Sequence, residues 1–128
     1  MDCKLELVIV PVSDVDRAKA FYTEQVGFNA DHDVRVSETL RFVQLTPRGS
    51  ACSIAFGDGI SQMTPGSLQA LQVVVPDIVA AHADLEEHGV AVSEIEDLAW
   101  GRFVYFKDPD GNGWSVQQII RRSQDAPA

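Results

Sequence analysis

The stretch FKDPDGNGWSVQQI, residues 106–119, has the composition of a tight turn between two β-strands. Pro109 fixes φ at the first central position, the flanking aspartates can accept hydrogen bonds from nearby amides, and Gly111 tolerates the positive φ that such a reversal requires. Apolar and aromatic residues stand on both sides of the turn. The stretch therefore predicts a β-hairpin that joins residues 103–107 to residues 113–119.

The pattern around this hairpin occurs twice in the chain. The segments LVIVPVSDVDRAKAFYTEQVGF (7–28) and ALQVVVPDIVAAHADLEEHGV (70–90) each contain an apolar strand, a Val-x-Asp corner, an amphipathic helix and a closing glycine. At nearly the same offset, TPRGSACSIAF (46–56) aligns with DPDGNGWSVQQ (108–118). Such self-similarity predicts an α+β chain built from two β-α-β-β-β modules.

The repeat gives the boundaries of the predicted elements. We expect a single domain over 1–128, with the first module at about 4–57, a Gly- and Pro-rich linker at about 58–67, the second module at about 68–120 and a flexible tail at 121–128. The predicted helices cover about 14–26 and 77–88, because an aspartate suited to capping precedes each and a glycine follows each.

Composition excludes several classes of partner. A formal net charge of −9 disfavours nucleic acid, whose phosphates would be repelled. No apolar run approaches the roughly 20 residues that cross a bilayer, so we expect no membrane segment. The two cysteines, Cys3 and Cys52, are too few for a disulfide framework and favour reduced thiols. With no export signal visible, we expect a cytoplasmic protein.

The duplicated β-α-β-β-β pattern, with Val-x-Asp before each helix and Asp-Pro-Asp-Gly-Asn before the last strand, resembles the vicinal oxygen chelate superfamily. That group includes glyoxalase I, extradiol dioxygenases and bleomycin resistance proteins. The resemblance covers about residues 4–120. It implies a cup of eight mixed strands with helices outside, and a homodimer that covers exposed sheet edges.

In metal-dependent members of the superfamily, the first and last strands of each module supply the metal ligands. The matching positions here are Leu7 and Ser53 in the first module and Ala70 and Ser115 in the second. Aliphatic side chains have no donor atom, and neutral hydroxyls are poor ligands for a divalent cation. We therefore expect no metal and no cofactor, and metal-dependent glyoxalase or dioxygenase activity is the least favoured reading.

Strand alternation predicts which side chains line the implied cup, because residues two apart share a face. The predicted lining comprises the four positions above together with Leu5, Ile9, Ala55, Gln72, Val74 and Gln117. Trp114 and Cys52 should face the helices instead. The third strands add candidate ligand contacts whose facing depends on an unknown register: Phe42, Gln44, Trp100, Arg102 and Tyr105. The histidines His32, His82 and His88 are interpreted as structural.

Two functions fit these expectations. The favoured one is a metal-free protein that binds a small, largely apolar or aromatic molecule, by sequestration as bleomycin-binding relatives do. The alternative is a metal-free enzyme, of isomerase, cyclase, lyase or hydrolase type, that acts on a natural product or xenobiotic. Whether the chain is an enzyme stays open, and no catalytic residue is assigned. A buried Tyr, Glu or Arg with a perturbed pKa in the cup would favour the enzyme.

Overall fold

The computed structural model describes residues 1–119. Its first module contains β1 (Leu7–Ile9), α1 (Val15–Ala20), which continues as a π-helix over Phe21–Val26, then β2 (Asn29–Ser37), β3 (Leu40–Thr46) and β4 (Ser53–Asp58). The side chain of Asp14 caps α1 by accepting from the Arg17 amide at 3.0 Å. The π-helix ends at Gly27, whose φ of 92° suits glycine.

The strands of the first module form a mixed sheet in the order β1-β4-β3-β2. β1 runs parallel to β4, whereas β3 is antiparallel to both of its neighbours. One face of this sheet and the apolar side of the helix supply the buried core. Its members are Val10, Val15, Ala18, Phe21, Tyr22, Val43, Leu45, Ile54 and Phe56.

The second module repeats this arrangement with β5 (Leu71–Val74), α2 (Ile78–Glu87), β6 (Glu96–Leu98), β7 (Gly101–Lys107) and β8 (Gly113–Ile119). Its sheet has the order β5-β8-β7-β6, with β5 parallel to β8. Asp77 caps α2 by accepting from the amides of Val79 and Ala80. The Gln118 side chain accepts from the Ile78 amide at 2.8 Å, which marks the face of this sheet that lies toward α2.

The turn that connects β7 to β8 is held by a buried carboxylate. Asp108 accepts from the Tyr22 hydroxyl at 2.7 Å and from the backbone and side-chain nitrogens of Asn112 at 2.9 and 2.8 Å. The Asn112 amide also donates to the Pro11 carbonyl at 2.8 Å. Residues 108–112 therefore pack with the first module, although β7 and β8 belong to the second sheet.

Packing divides the chain into two compact units. The first comprises Met1–Gln69 with Asp108–Asn112, and the second comprises Ala70–Lys107 with the described residues from Gly113 to Ile119. Between β4 and β5, residues 59–70 form turns and no strand or helix. No helix in the described chain is long and apolar enough to cross a membrane.

The two predicted β-α-β-β-β modules and the α+β class are confirmed. The hairpin joins Gly101–Lys107 to Gly113–Ile119, and the helical segments fall within one or two residues of the predicted spans. The predicted flexible tail, 121–128, lies outside the described residues, as does residue 120 at the end of the predicted second module.

Candidate ligand-binding faces

The register of the second sheet brings two predicted glutamines to one face. Gln72 on β5 lies opposite Ser115 on β8, and Ser115 lies opposite Tyr105 on β7. The next row along the same face crosses all four strands and consists of Val74, Gln117, Phe103 and Glu96. We call this surface the Gln117 face, defined by Gln72, Val74, Glu96, Phe103, Tyr105, Ser115 and Gln117. The opposite face carries Gln118 and lies toward α2.

A directed chain of hydrogen bonds runs along the Gln117 face. The Ser115 hydroxyl donates to Gln72 Oε1 at 3.0 Å, Gln72 Nε2 donates to Gln117 Oε1 at 2.7 Å, and Gln117 Nε2 donates to the Trp100 carbonyl at 3.0 Å. Gln117 is 9% exposed, whereas Gln72 is exposed. The buried amide thus orients the accessible one, which keeps one N–H and one lone pair for another partner.

Gly101 makes room for the Gln117 amide. A Cβ atom built on Gly101 would lie 2.7 Å from Gln117 Nε2 and 3.0 Å from Gln117 Cγ. Those distances are too short for a side chain to be added without moving the amide. Gly101 is therefore a positioning residue for the hydrogen-bond chain, and it marks the close approach that a glycine inside a strand often signals.

Aromatic and acidic groups complete the Gln117 face. The rings of Phe103 and Tyr105 stack with centroids 6.1 Å apart and an interplanar angle of 4°. Phe103 is buried, while Tyr105 is 38% exposed. The Tyr105 hydroxyl donates to Glu96 Oε1 at 2.8 Å, and this hydrogen bond raises the pKa of Tyr105 above its ordinary value. The phenol is thereby held as a neutral donor.

The first sheet has a corresponding face. Between β1 and β4, Leu7 lies opposite Ser53 and Ile9 lies opposite Ala55. Between β4 and β3, Ala55 lies opposite Gln44 and Gly57 lies opposite Phe42. We call this surface the Gln44 face, defined by Leu7, Ile9, Phe42, Gln44, Thr46, Ser53 and Ala55. Its other side carries the core residues that pack against α1.

A second polar chain crosses the Gln44 face. Ser53, which is 6% exposed, accepts from Gln44 Nε2 at 3.2 Å and shares a 2.7 Å hydrogen bond with the Thr46 hydroxyl. The Thr46 hydroxyl in turn donates to the Asp31 carboxylate. The Ser53 hydroxyl therefore belongs to this face and is hydrogen-bonded to two neutral side chains.

His32 extends the Gln44 face at its edge strand. It pairs with Gln44 across β2 and β3, with an irregularity in the ladder on its N-terminal side, and it is exposed. The sequence suggested a structural histidine between two aspartates. The register places it beside a candidate ligand-contacting glutamine, and its structural role stays a prediction.

The positions expected to hold a metal in metal-dependent relatives need one correction. In the first module, Leu7 of β1 pairs with Ser53 of β4. In the second module, Gln72 of β5 pairs with Ser115 of β8, whereas Ala70 precedes β5. The sequence alignment misplaced this position because four residues, 10–13, separate β1 from Asp14, but only two, 75 and 76, separate β5 from Asp77. Gln72 is therefore the counterpart of Leu7.

The corrected set of residues does not suit a divalent cation. It supplies an aliphatic chain, two neutral hydroxyls and an amide that already bonds Gln117 and Ser115. Ions such as Zn²⁺ and Mn²⁺ are held by imidazole, thiolate or carboxylate groups. Within residues 1–119, no group of three or more His, Cys, Asp or Glu side chains is arranged to hold a metal.

Of the remaining predicted residues, Arg102 is not part of the Gln117 face, and Trp100 contributes its backbone carbonyl to the hydrogen-bond chain there. Arg102 lies opposite Gln118 on the face toward α2, where its Nε donates to Asp97 Oδ1 at 2.7 Å. Trp100 lies in the turn between β6 and β7, contributes its carbonyl to the hydrogen-bond chain and is 63% exposed.

The predictions for the helix-facing residues divide. Trp114 lies opposite Leu71, away from the Gln117 face; it is buried and stacks on Phe106 with centroids 5.9 Å apart. Cys52 lies just before β4 and is partly exposed, so its predicted facing toward the helix stays a prediction.

Sequence reasoning missed Glu96, Phe103, Gly101, Thr46 and Asp31. Glu96 and Phe103 share the alternation of Tyr105, but only the pairing of β6 with β7 shows that they lie beside it. The glycine at 101, next to an aromatic strand, was the one readable signal. Thr46 and Asp31 meet only because of the ladder irregularity in β2.

Comparison with known proteins agrees with this geometry. The family model described as Glyoxalase/Bleomycin resistance protein/Dioxygenase superfamily matches residues 4–116. The uncharacterized protein YetH of Bacillus subtilis (strain 168) is 32% identical over 115 residues, which cover 87% of this chain and 94% of that protein.

Two solved structures from Streptomyces sp. CB03234 are similar in both sequence and fold. TnmS3, described as an antibiotic binding protein, is 39% identical with a TM-score of 0.85, covering 93% of this chain and 98% of that one. A glyoxalase/bleomycin resistance protein is 40% identical with a TM-score of 0.79, covering 90% of this chain and all of the other.

Proposed function

Since this chain belongs to the glyoxalase/bleomycin resistance protein/dioxygenase superfamily, we propose that it binds a small, largely apolar or aromatic molecule without a metal, and sequesters it. The function is that of a binding protein, and the Gln117 face is its principal ligand surface. The Gln44 face is a second surface of the same character, in which apolar side chains surround a short polar chain.

The observation that carries the proposal is the directed hydrogen-bond chain from Ser115 through Gln72 and Gln117 to the Trp100 carbonyl. It fixes an accessible amide on the same face as the partly exposed ring of Tyr105, with Ser115 between them in the cross-strand row. A flat aromatic molecule gains contact area on the ring, and its polar substituent gains a hydrogen bond from the amide. An oriented partner also binds with less loss of side-chain entropy.

Two further observations support the proposal. The four positions that hold metal in metal-dependent relatives supply no charged donor here, which favours a ligand that is held without a metal ion. In addition, TnmS3, 39% identical over nearly the whole chain, is described as an antibiotic binding protein. That description supports a small molecule, such as an antibiotic, as the ligand class for this chain.

The alternative, a metal-free isomerase, cyclase, lyase or hydrolase, is less well supported. Acid–base catalysis is most efficient when the pKa of the catalytic group lies near the operating pH. Tyr105 is shifted in the other direction, upward, by its hydrogen bond to Glu96. A phenol held in its neutral form serves better as a hydrogen-bond donor than as a general base.

We also propose a homodimer in the cytoplasm. β2 is an outer strand of the first sheet, and all nine of its residues are exposed. The outer edge of β2 pairs with no other strand in the described chain, and a free strand edge of this length favours association with another chain. The two free cysteines, Cys3 and Cys52, suit a reducing compartment.

The test is a fluorescence titration of protein treated with EDTA, using the neutral aromatic probe 1-pyrenemethanol. We expect saturable binding that the chelator does not change. The Gln117→Leu variant should bind more weakly by about 1 to 3 kcal/mol, because Gln72 loses the acceptor that orients it. Gln62→Leu, in the exposed segment that joins β4 to β5, is the matched control and should bind as the parent does. Absence of saturable binding, or binding abolished by EDTA and restored by a metal, would overturn the proposal.

A further inference from the structure

We infer that the carboxylate of Glu96 is the counter-ion for a protonated amine on the bound molecule, so that the Gln117 face selects cationic aromatic compounds. This inference rests on the proposed function and adds the chemical class of the ligand. Three observations carry it: the side on which Glu96 lies, its lack of a basic partner among residues 1–119, and the aromatic ring beside it.

Glu96 and Asp97 are adjacent carboxylates on β6 that lie on opposite faces of the sheet. Asp97 pairs with Arg102 at 2.7 Å on the face toward α2. Glu96 lies on the Gln117 face, opposite Phe103, and accepts one hydrogen bond from Tyr105 at 2.8 Å. In the described part of the chain, Glu96 forms no ion pair with Lys, Arg or His.

A carboxylate has about four lone-pair sites on its two oxygens. Tyr105 occupies one of them and holds the group in place through a neutral donor. The remaining sites are available to a cation that arrives with the ligand. A charge-assisted hydrogen bond from an ammonium group to a carboxylate is stronger than a bond between neutral groups.

The ring of Tyr105 makes the same location favourable for a cation. Tyr105 is 38% exposed, and its hydroxyl is directed to Glu96, so an ammonium group bound at the carboxylate lies close to an aromatic ring. The aromatic part of such a molecule then extends toward Ser115, the cross-strand neighbour of Tyr105. The formal net charge of −9 would also steer cations toward the protein.

The experiment uses two probes of nearly equal shape, 1-pyrenemethylamine, which is protonated at neutral pH, and neutral 1-pyrenemethanol. Fluorescence titrations are run on the parent chain, on Glu96→Gln and on Asp97→Asn, at low and high salt. Asp97→Asn is the control, because it removes one negative charge from the residue next to Glu96 on the opposite face of the sheet. It therefore changes the net charge by the same amount without touching the Gln117 face.

We expect the parent to prefer the amine by roughly tenfold, as the sum of an exposed ion pair and a cation–π contact. The preference should shrink as salt is added, because screening weakens exposed charge pairs. Glu96→Gln should abolish it, while Asp97→Asn retains it. Equal affinities for the two probes, or a preference that survives Glu96→Gln, would overturn the inference and leave the binding function intact. Failure of both probes to bind would overturn both.

Discussion

At the scale of single residues, the Gln117 face depends on side chains whose neighbours leave them little freedom. Gln117 is nearly buried, and both of its polar atoms are paired. Its position depends in turn on the absence of a side chain at Gly101. A substitution at either residue therefore acts on Gln72, the accessible member of the hydrogen-bond chain.

The first residue-scale prediction concerns Gly101→Ala. Its new Cβ would meet the Gln117 amide at 2.7 Å, so we expect a loss of about 1 to 3 kcal/mol in the free energy of unfolding. Urea denaturation measures this loss. In a Gln117→Ala background the same substitution should be less destabilising, because the amide that it displaces is gone. Equal effects in the two backgrounds would show that Gly101 does not position Gln117.

A second residue-scale prediction follows from the Tyr105–Glu96 hydrogen bond, which raises the pKa of Tyr105. The raised pKa means that the folded protein favours the neutral phenol. The corresponding contribution to stability is present below the ordinary tyrosine pKa of about 10 and is lost as the pH rises through the higher folded value. In an NMR titration, Tyr105 should ionise at higher pH in the parent than in Glu96→Gln. An unchanged titration would mean that the hydrogen bond does not form in solution.

At the scale of elements, the turn at 108–112 has a role beyond joining two strands. Its Asp108 carboxylate is buried and accepts from Tyr22 and Asn112, and Asn112 reaches the Pro11 carbonyl. The turn is thus anchored to the first module through hydrogen bonds to Tyr22 and to the Pro11 carbonyl. This anchoring explains why the turn carries so specific a set of residues.

Asp108→Asn tests the anchor. The side-chain nitrogen introduced at position 108 would face the hydrogen-bond donors of Tyr22 and Asn112, so at least one buried hydrogen bond is lost. We expect a loss of about 2 to 4 kcal/mol in the free energy of unfolding. Denaturation in urea provides the measurement. Arg48→Ala, in the corresponding and exposed turn of the first module, should change stability by less than about 0.5 kcal/mol. A similar small effect at Asp108 would contradict the anchoring role.

The elements were more predictable from sequence than their registers. Caps at Asp14 and Asp77, stops at Gly27 and Gly89 and the turn residues are local signals, and the corresponding helices and hairpin are present. The pairing of β5 with β8 depends on how much chain lies before α2, which no local signal specifies. For that reason Ala70 was placed where Gln72 lies.

The facing of the third strands was likewise beyond the sequence. Arg102 and Tyr105 belong to the same strand, and neither charge nor aromaticity tells which of them shares a face with Gln117. Tyr105 does, and Arg102 does not. The polar groups of β4 and β8 were predictable because the repeat aligned Ser53 with Ser115, and the turn fixed their distance from the hairpin.

At the scale of the whole molecule, we predict a homodimer, because all nine residues of the long outer strand β2 are exposed in the single chain. Light scattering at working concentration should give twice the 14.0 kDa mass of the chain. A proline substitution at Val34, a residue that is 50% exposed, is expected to weaken the association if β2 forms the interface. The monomer mass at every concentration would contradict the dimer.

The central claim is that an aromatic molecule binds on the Gln117 face without a metal. The most direct measurement is an NMR titration of the protein in EDTA with 1-pyrenemethanol, followed through the side-chain amide signals of the glutamines. We predict saturable shifts for Gln72 and Gln117, with little change for Gln118, which caps α2 from the opposite face. Saturable binding that moves Gln118 and leaves Gln72 and Gln117 unchanged, or no binding at all, would contradict the claim.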